Sequence, residues 1–245
     1  TSMAAWRGSV ACDTASVNLR PNFLNVQNNL RLKDSINLSC PLINAVNYDI
    51  QDSMRGQTTT MGAWDFKPAS LDLSVNSLIS PAGSGKINTK LPLKIEITNP
   101  GLKNITTAQI AFVLNGVRYP DYSWKGLLKP GETAEVLLDS IMLVSGTNRL
   151  TVFVSDPNNA QDGFSLNDTL HSTIYGCNTA LSGNYTVGDS KADFATMEEA
   201  VANLRYCGIN GPVVLNVISG EYEGISLANI NSGDTSYTIT IRSLC

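Results

Sequence analysis

Three groups of residues in this chain have the types that chemistry needs. The first is the stretch NYDIQDSMRGQTTTMGAWDF, residues 47 to 66, where Asp49, Asp52, Arg55 and Asp65 surround a Gly62-Ala63 step. Carboxylates gathered around a cation suit metal binding or acid-base work. The second is the loop SDPNNAQDGFSLND, whose Asp156, Asp162 and Asp168 offer oxygens of the kind calcium recruits in extracellular modules, at a spacing that matches no EF-hand loop. The third is Glu221 with Glu223. Residues two apart in a strand share a face about 7 Å apart at Cα, so this pair could sit together for glycan cleavage; Asp49 with Asp52 is a second candidate pair.

Each group has a plainer reading. Asp and Asn also form turns by bonding their own backbone, and solvated turn acids explain the same letters. His171, the one histidine, lies in a polar alternation without the nucleophile and acid that a Ser-His-Asp relay requires, and it reads as a surface or edge residue. GSGK at 83–86 fails as a phosphate-binding loop, because Ser80 and Ile87 stand where Gly and Ser or Thr are needed. The acceptor pattern for glycosylation occurs at Asn37, Asn104, Asn167 and Asn184, in a chain so rich in Asn, Ser and Thr that chance supplies such matches. No catalytic, cofactor-binding or metal-binding residue is therefore assigned, and no cofactor is expected.

The five cysteines, Cys12, Cys40, Cys177, Cys207 and Cys245, show no C-x-x-C spacing, which argues against a zinc knuckle or a thioredoxin-type pair. In an exported protein a Cys12–Cys40 or a Cys177–Cys207 bridge is conceivable; buried free thiols are the alternative. Composition narrows the frame. Charged residues make up 16% of the 245 and the net charge is −4, with no Lys/Arg cluster interleaved with aromatics, so a nucleic-acid footprint is missing. No apolar run approaches the roughly 20 residues of a spanning helix. Abundant turn formers beside sparse charge favour an all-β chain.

The elements that must position these residues are clearest between residues 71 and 175. Period-two alternation recurs in LDLSVNSL, in LPLKIEIT with Leu91, Leu93, Ile95 and Ile97 on one face, and in AQIAFVLN with Ile110, Phe112 and Leu114 together. Asn115-Gly116 then predicts a type I′ hairpin turn, since both residues accept positive φ. VRYPDYSW, TAEVLLDS, RLTVFVSD and TLHSTIY follow, separated by KPGE and SGTN turns. About seven strands in about 105 residues is the pattern of an immunoglobulin-like sandwich. The strings ITNPGLKNITTAQIAFVLNG, LKPGETAEVLL and GTNRLTVFVSDPNNAQDGFSLNDT resemble the cell-adhesion-related bacterial (CARDB-like) immunoglobulin-type domains over roughly residues 69 to 176. That resemblance implies a spacer or adhesive module.

Past residue 177, Thr196 and Glu199 form a capping box, and Met197, Ala200, Val201 and Leu204 fall at helical spacing, predicting one short amphipathic helix near residues 197–207 that closes at Gly208. PVVLNVIS and YTITIRSL read as strands. LSGNYTV, DFAT, GINGPV and SGEY, in that order, resemble the opening of right-handed parallel β-helix domains in exported Bacteroidetes proteins, which implies a capping helix followed by the first coils. Residues 1 to 68 resemble the last coils of the same class, through Trp6, Asp13 with Ser16, Pro21 with Phe23, Leu30 with Leu32, Asp49 with Ile50, Arg55, and Gly62 with Ala63. In that reading Arg55 is a candidate partner for Asp49 or Asp52, and Lys67-Pro68 is a linker.

The expected architecture is thus all-β: closing coils over 1–68, an immunoglobulin-like sandwich over 69–176, and the start of a second β-helix over 177–245. The absence of a leader and the stop directly after YTITIRSL lead us to expect a piece of a longer chain. The expected role is a non-catalytic structural or adhesive segment of a large exported bacterial surface protein, secreted or held at the cell surface. Its candidate partners are glycans, host or surface proteins met through loops or through Tyr119, Tyr122 and Trp124, and further copies met through unpaired strand edges. A polysaccharide lyase or glycosidase with its catalytic coils elsewhere is the rival enzyme reading, and a carbohydrate- or protein-binding module is the third.

Overall fold

A computed structural model describes residues 23–25, 27, 29–32, 39–42, 45–65, 68–218, 222, 224–232 and 234–244. Cys12, Asn37, Lys67, Glu221, Glu223, Cys245 and the residues expected to open the first segment, Trp6 to Pro21, lie outside the described residues. The described residues are all-β apart from one α-helix and two single 3-10 turns.

The first strands are short: β1 (Phe23–Asn25), β2 (Asn29–Leu32), β3 (Ser39–Pro41) and β4 (Thr58–Thr60). β1 pairs with β2 and β3 with β4, both antiparallel. The described pairings of this segment are therefore not those of β-helix coils, whose neighbours run parallel. For β1 and β2 the cause is the connection, residues 26–28, far shorter than the dozen or more residues that a parallel crossover needs.

The central sandwich contains β5 (Ser74–Ser80), β6 (Ser84–Lys86), β7 (Leu91–Thr98), β8 (Ile105–Leu114), β9 (Val117–Arg118), β10 (Tyr122–Leu128), β11 (Thr133–Ile141), β12 (Gly146–Ser155) and β13 (Thr169–Cys177). One sheet runs β10-β8-β12-β13-β6, with β9 hairpinned onto β8; the other runs β11-β7-β5. The alternating residues read from the sequence meet between them. Leu93, Ile95, Ile97, Ile110, Val152 and Ile174 are fully buried, with Phe112 and Leu114 beside them. Each such side chain removed from water contributes ~1.5–3 kcal/mol. The Asn115-Gly116 turn has φ of 50° and 83°, as a type I′ turn requires. One expected strand is broken: in VRYPDYSW the chain leaves the sheet at Tyr119 to Asp121 around Pro120, which has no N–H for the ladder.

The strand directions give the sandwich two distinct poles. Ser74 faces Thr98, and Thr169 faces Phe153, at the pole where the chain enters. Gly176 faces Gly146, so the chain leaves from the opposite pole. The ten residues of β12 set the distance between poles at roughly 33 Å.

The last part holds β14 (Leu181–Val187), helix α1 (Met197–Cys207), β15 (Ile209–Val217) and β16 (Ile239–Ser243). These strands form a wholly parallel sheet in chain order, with Gly183 beside Val213 and Val213 beside Ile239. The two connections, residues 188–208 and 218–238, are each 21 residues long. The Thr196 hydroxyl accepts from Glu199 N at 3.2 Å, and the Glu199 carboxylate reaches back to Ala195 N at 3.0 Å. Met197, Ala200, Val201 and Leu204 bury against Leu181, Val187, Val213 and Leu215. The turn before the helix is fastened by Asp193, whose Oδ2 accepts from Thr186 N and Oγ1 at 2.7 and 2.9 Å. These bonds hold the Asp193 carboxyl below the usual carboxylate range.

Candidate functional site

Residues 47 to 65 do converge, but as a closed knot of hydrogen bonds. Arg55 is only 8% exposed. Its Nε donates to Tyr48 O at 3.3 Å, Nη1 to Thr59 Oγ1 and Thr60 O at 3.0 Å each, and Nη2 to Gly62 O and Ala63 O at 2.7 and 3.1 Å. Those five bonds match the five N–H donors of a guanidinium, which leaves none for an anionic ligand. The expected direct pairing of Arg55 with Asp49 or Asp52 is corrected: carbonyl oxygens surround the cation instead. Asp49 Oδ1 takes Gln51 N and Ser53 N at 2.8 and 3.0 Å, and its Oδ2 takes Asp65 N at 3.3 Å. Desolvation raises the Asp49 pKa, yet the three backbone donors and the Arg55 charge outweigh it and hold the carboxyl below its ordinary value. A cavity of about 230 Å³ beside Cys40, Val46 and Met61 abuts this knot and is largely apolar. The arrangement closes a loop.

The acids of the 156–168 loop separate into different tasks. Asp156 sits at φ 53° and its carboxylate accepts from Ser155 Oγ at 2.9 Å. Asp162 ties the loop to the start of the sandwich, its Oδ2 accepting from Leu73 N and its Oδ1 from Phe164 N, both at 2.8 Å. Asp168 is half-buried. Desolvation, followed by the like charges of Asp162 and Asp72, pushes its carboxyl up to about 7. Among the described residues no three carboxylates, histidines or cysteines come together as a metal site would need. Asp72 had no signal of its own, because an Asp between Leu71 and Leu73 reads as the solvent face of an alternating strand. It is fully buried, and its Oδ1 accepts from Asn167 Nδ2 at 2.9 Å.

The remaining candidates are dispersed. His171 is exposed on β13, with Nδ1 3.1 Å from the hydroxyl of Thr151, the residue paired with it on β12. Gly85, within the GSGK string, lies on β6 against β13, where a Cβ would meet Leu91 Cδ1 at 2.5 Å; Ser84 to Lys86 form a strand. The expected aromatic surface is also corrected. Trp124 is 8% exposed and belongs to the core, Tyr119 is stacked on Phe112 at 4.5 Å, and Tyr122 alone of the three is exposed. Pro120 again explains the difference, since the break after β9 resets the alternation and turns Trp124 inward.

Several solved structures share parts of this arrangement. A CARDB domain of a Pyrococcus furiosus protein, determined in complex with di-metal ions, is 14% identical and matches 53% of this chain and 97% of its own, with a TM-score of 0.35. A domain of a Methanosarcina acetivorans protein attributed to the cell surface is 24% identical over 43% of this chain and 91% of its own, with a TM-score of 0.38. A β-glucosidase of Listeria innocua is 15% identical over 47% of this chain and only 17% of its own, with a TM-score of 0.26. All of these scores lie below 0.5, and what those proteins bind or cleave is theirs alone. No family model matches the chain, and no curated protein does.

One contact has more consequence than any of the acids. Cys177, at the end of β13, is bridged to Cys207, the last residue of α1, with Cα atoms 5.4 Å apart. Of the two bridges considered, this one forms; Cys40 is half-buried, and its suggested partner Cys12 lies outside the described residues. Tyr175 stacks on Tyr206 at 5.2 Å and accepts from Asn203 Nδ2 at 2.7 Å. Desolvation, with the Glu199 charge behind it, pushes the Tyr175 phenol up, so it stays neutral and fit for that bond.

Proposed function

We propose that this chain is a non-catalytic structural or adhesive segment of a large exported surface protein, with the sandwich acting as a spacer between the β-rich parts on either side. The observation that carries this reading is the pair of poles. A module entered at Ser74 and left at Cys177 adds roughly 33 Å to the path of the chain, whereas one with both ends at a single pole would hang to the side. Two further features support it. A disulfide persists in oxidising compartments outside the cytosol. Two 21-residue connections that each set down a parallel strand beside the last suit the opening coils of a solenoid, with α1 covering its first layer. On this reading β16 presents an edge to a further strand or to a second copy, and Ile241 on it is 39% exposed.

Small-angle scattering on the chain tests the spacer. An elongated particle, longer than the sandwich by the extent of the flanking parts, supports it; a compact particle with its two ends folded together overturns it. Incubation with a polysaccharide panel tests the non-catalytic half, and newly formed reducing ends or unsaturated sugars would overturn that. Light scattering across a dilution series reads pairing through β16, which a mass independent of concentration would exclude.

A further inference from the structure

Three attachments join the sandwich to the parallel sheet, and they are not on one line. The first is the main chain, only residues 178–180 between β13 and β14. The second is the Cys177–Cys207 bridge. The third is the Tyr175 ring, held by Tyr206 and Asn203 two positions up the strand. A short linker alone leaves rotation about its own bonds, and a second tether that begins at the same residue leaves rotation about one axis. A contact some 7 Å away along β13 removes that axis as well.

Each anchor point is rigid within its own body. Cys177 O accepts from Ile87 N at 2.8 Å, and Tyr175 N donates to Gly83 O at 2.9 Å, so β13 is gripped by the segment around β6 on one side and by β12 on the other. On the far side Cys207 ends a helix whose apolar face is buried, and Gly208 O accepts from Leu181 N at 2.9 Å. Neither core runs across the joint, although Cys207 packs on the margin of the second. The sandwich core holds none of the residues past Tyr175, and the second core holds none before Leu181.

We propose that the Cys177–Cys207 bridge is an orientational lock: it fixes the angle between the sandwich and the parallel sheet and makes the two tumble as one body, while neither depends on it to fold. This stands whether or not the chain serves as a spacer, because it concerns the joint and not the ends.

Amide relaxation on the full chain tests it. In the parent, amides of β12 and β15 should report one rotational correlation time. In Cys177→Ser/Cys207→Ser, both sets of amides should keep folded chemical shifts, and the shared correlation time should be lost, with β15 tumbling faster than β12. Reduction of the folded parent by a phosphine should give the same split. Tyr206→Ala with the bridge intact should keep one shared time, because Asn203 still holds the Tyr175 hydroxyl and so blocks the remaining axis. The proposal is overturned if the double variant still tumbles as one body, or if β15 loses its folded shifts, which would make the bridge a folding device.

Discussion

The Asp72 carboxylate and the Asn167 side-chain amide, 95 residues apart in the chain, meet at 2.9 Å in a fully buried contact at the pole where the chain enters the sandwich. A buried polar pair of this kind is costly to break from one side, because the group left behind loses that bond without regaining water. Asn167→Ala should destabilise the sandwich by ~1–3 kcal/mol. Urea unfolding at pH 7 checks this; an unchanged midpoint would show that the contact adds nothing.

Asp168 gives this pole a pH dependence. Its folded pKa of about 7 lies above its ordinary 3.8, so the folded state holds the proton more tightly. The cost of ionising it is absent below about pH 4, grows as pH rises between 4 and 7, and is complete above 7. The full shift would correspond to ~4 kcal/mol, and half exposure of the group reduces this to ~1–2 kcal/mol. Asp168→Asn should therefore raise the melting temperature at pH 8 and leave it nearly unchanged at pH 4. An equal rise at both would contradict the assignment.

Arg55→Ala should open the 47–65 loop, since four carbonyls and Thr59 Oγ1 lose a common donor. Arg55→Lys should not restore it, because an ammonium has three donors and no planar fork to divide among five acceptors. Hydrogen exchange reads the outcome: amides of Asp49, Ser53 and Thr60 should lose protection, and those of β7 and β12 should not.

Gly176→Ala should prevent the sandwich from closing properly. An added Cβ would lie 1.9 Å from Val144 O, which is backbone and has nowhere to move. Loss of soluble folded protein, or a large fall in melting temperature, is the expected result; wild-type stability would show that the 142–145 loop yields.

What was legible in the sequence was local. LPLKIEIT became β7 residue for residue, because one face of a half-buried strand is written at every second position. Asn115-Gly116 and the Thr196–Glu199 box were readable for the same reason: a turn or cap uses neighbours. What escaped depends on partners far along the chain. β6 is three residues, SGK, without alternation, and it is a strand only because β13 lies beside it. Asp72 is buried only because Asn167, 95 residues on, covers it. Arg55 reads as the partner of a carboxylate, and carbonyl acceptors leave no mark in a sequence, since every residue has one.

The two poles have a mechanical meaning. Tension applied to the chain on both sides of the sandwich pulls β5 outward at its first residue and β13 outward at its last, in opposite directions along the strand axes. The ladders β5–β7 and β12–β13 are then sheared, so their hydrogen bonds share the force and yield together instead of unzipping one by one. Stretched singly, the sandwich should resist as one tall rupture, and the Cys177–Cys207 bridge shields residues 178 to 206 from any pull that passes through it.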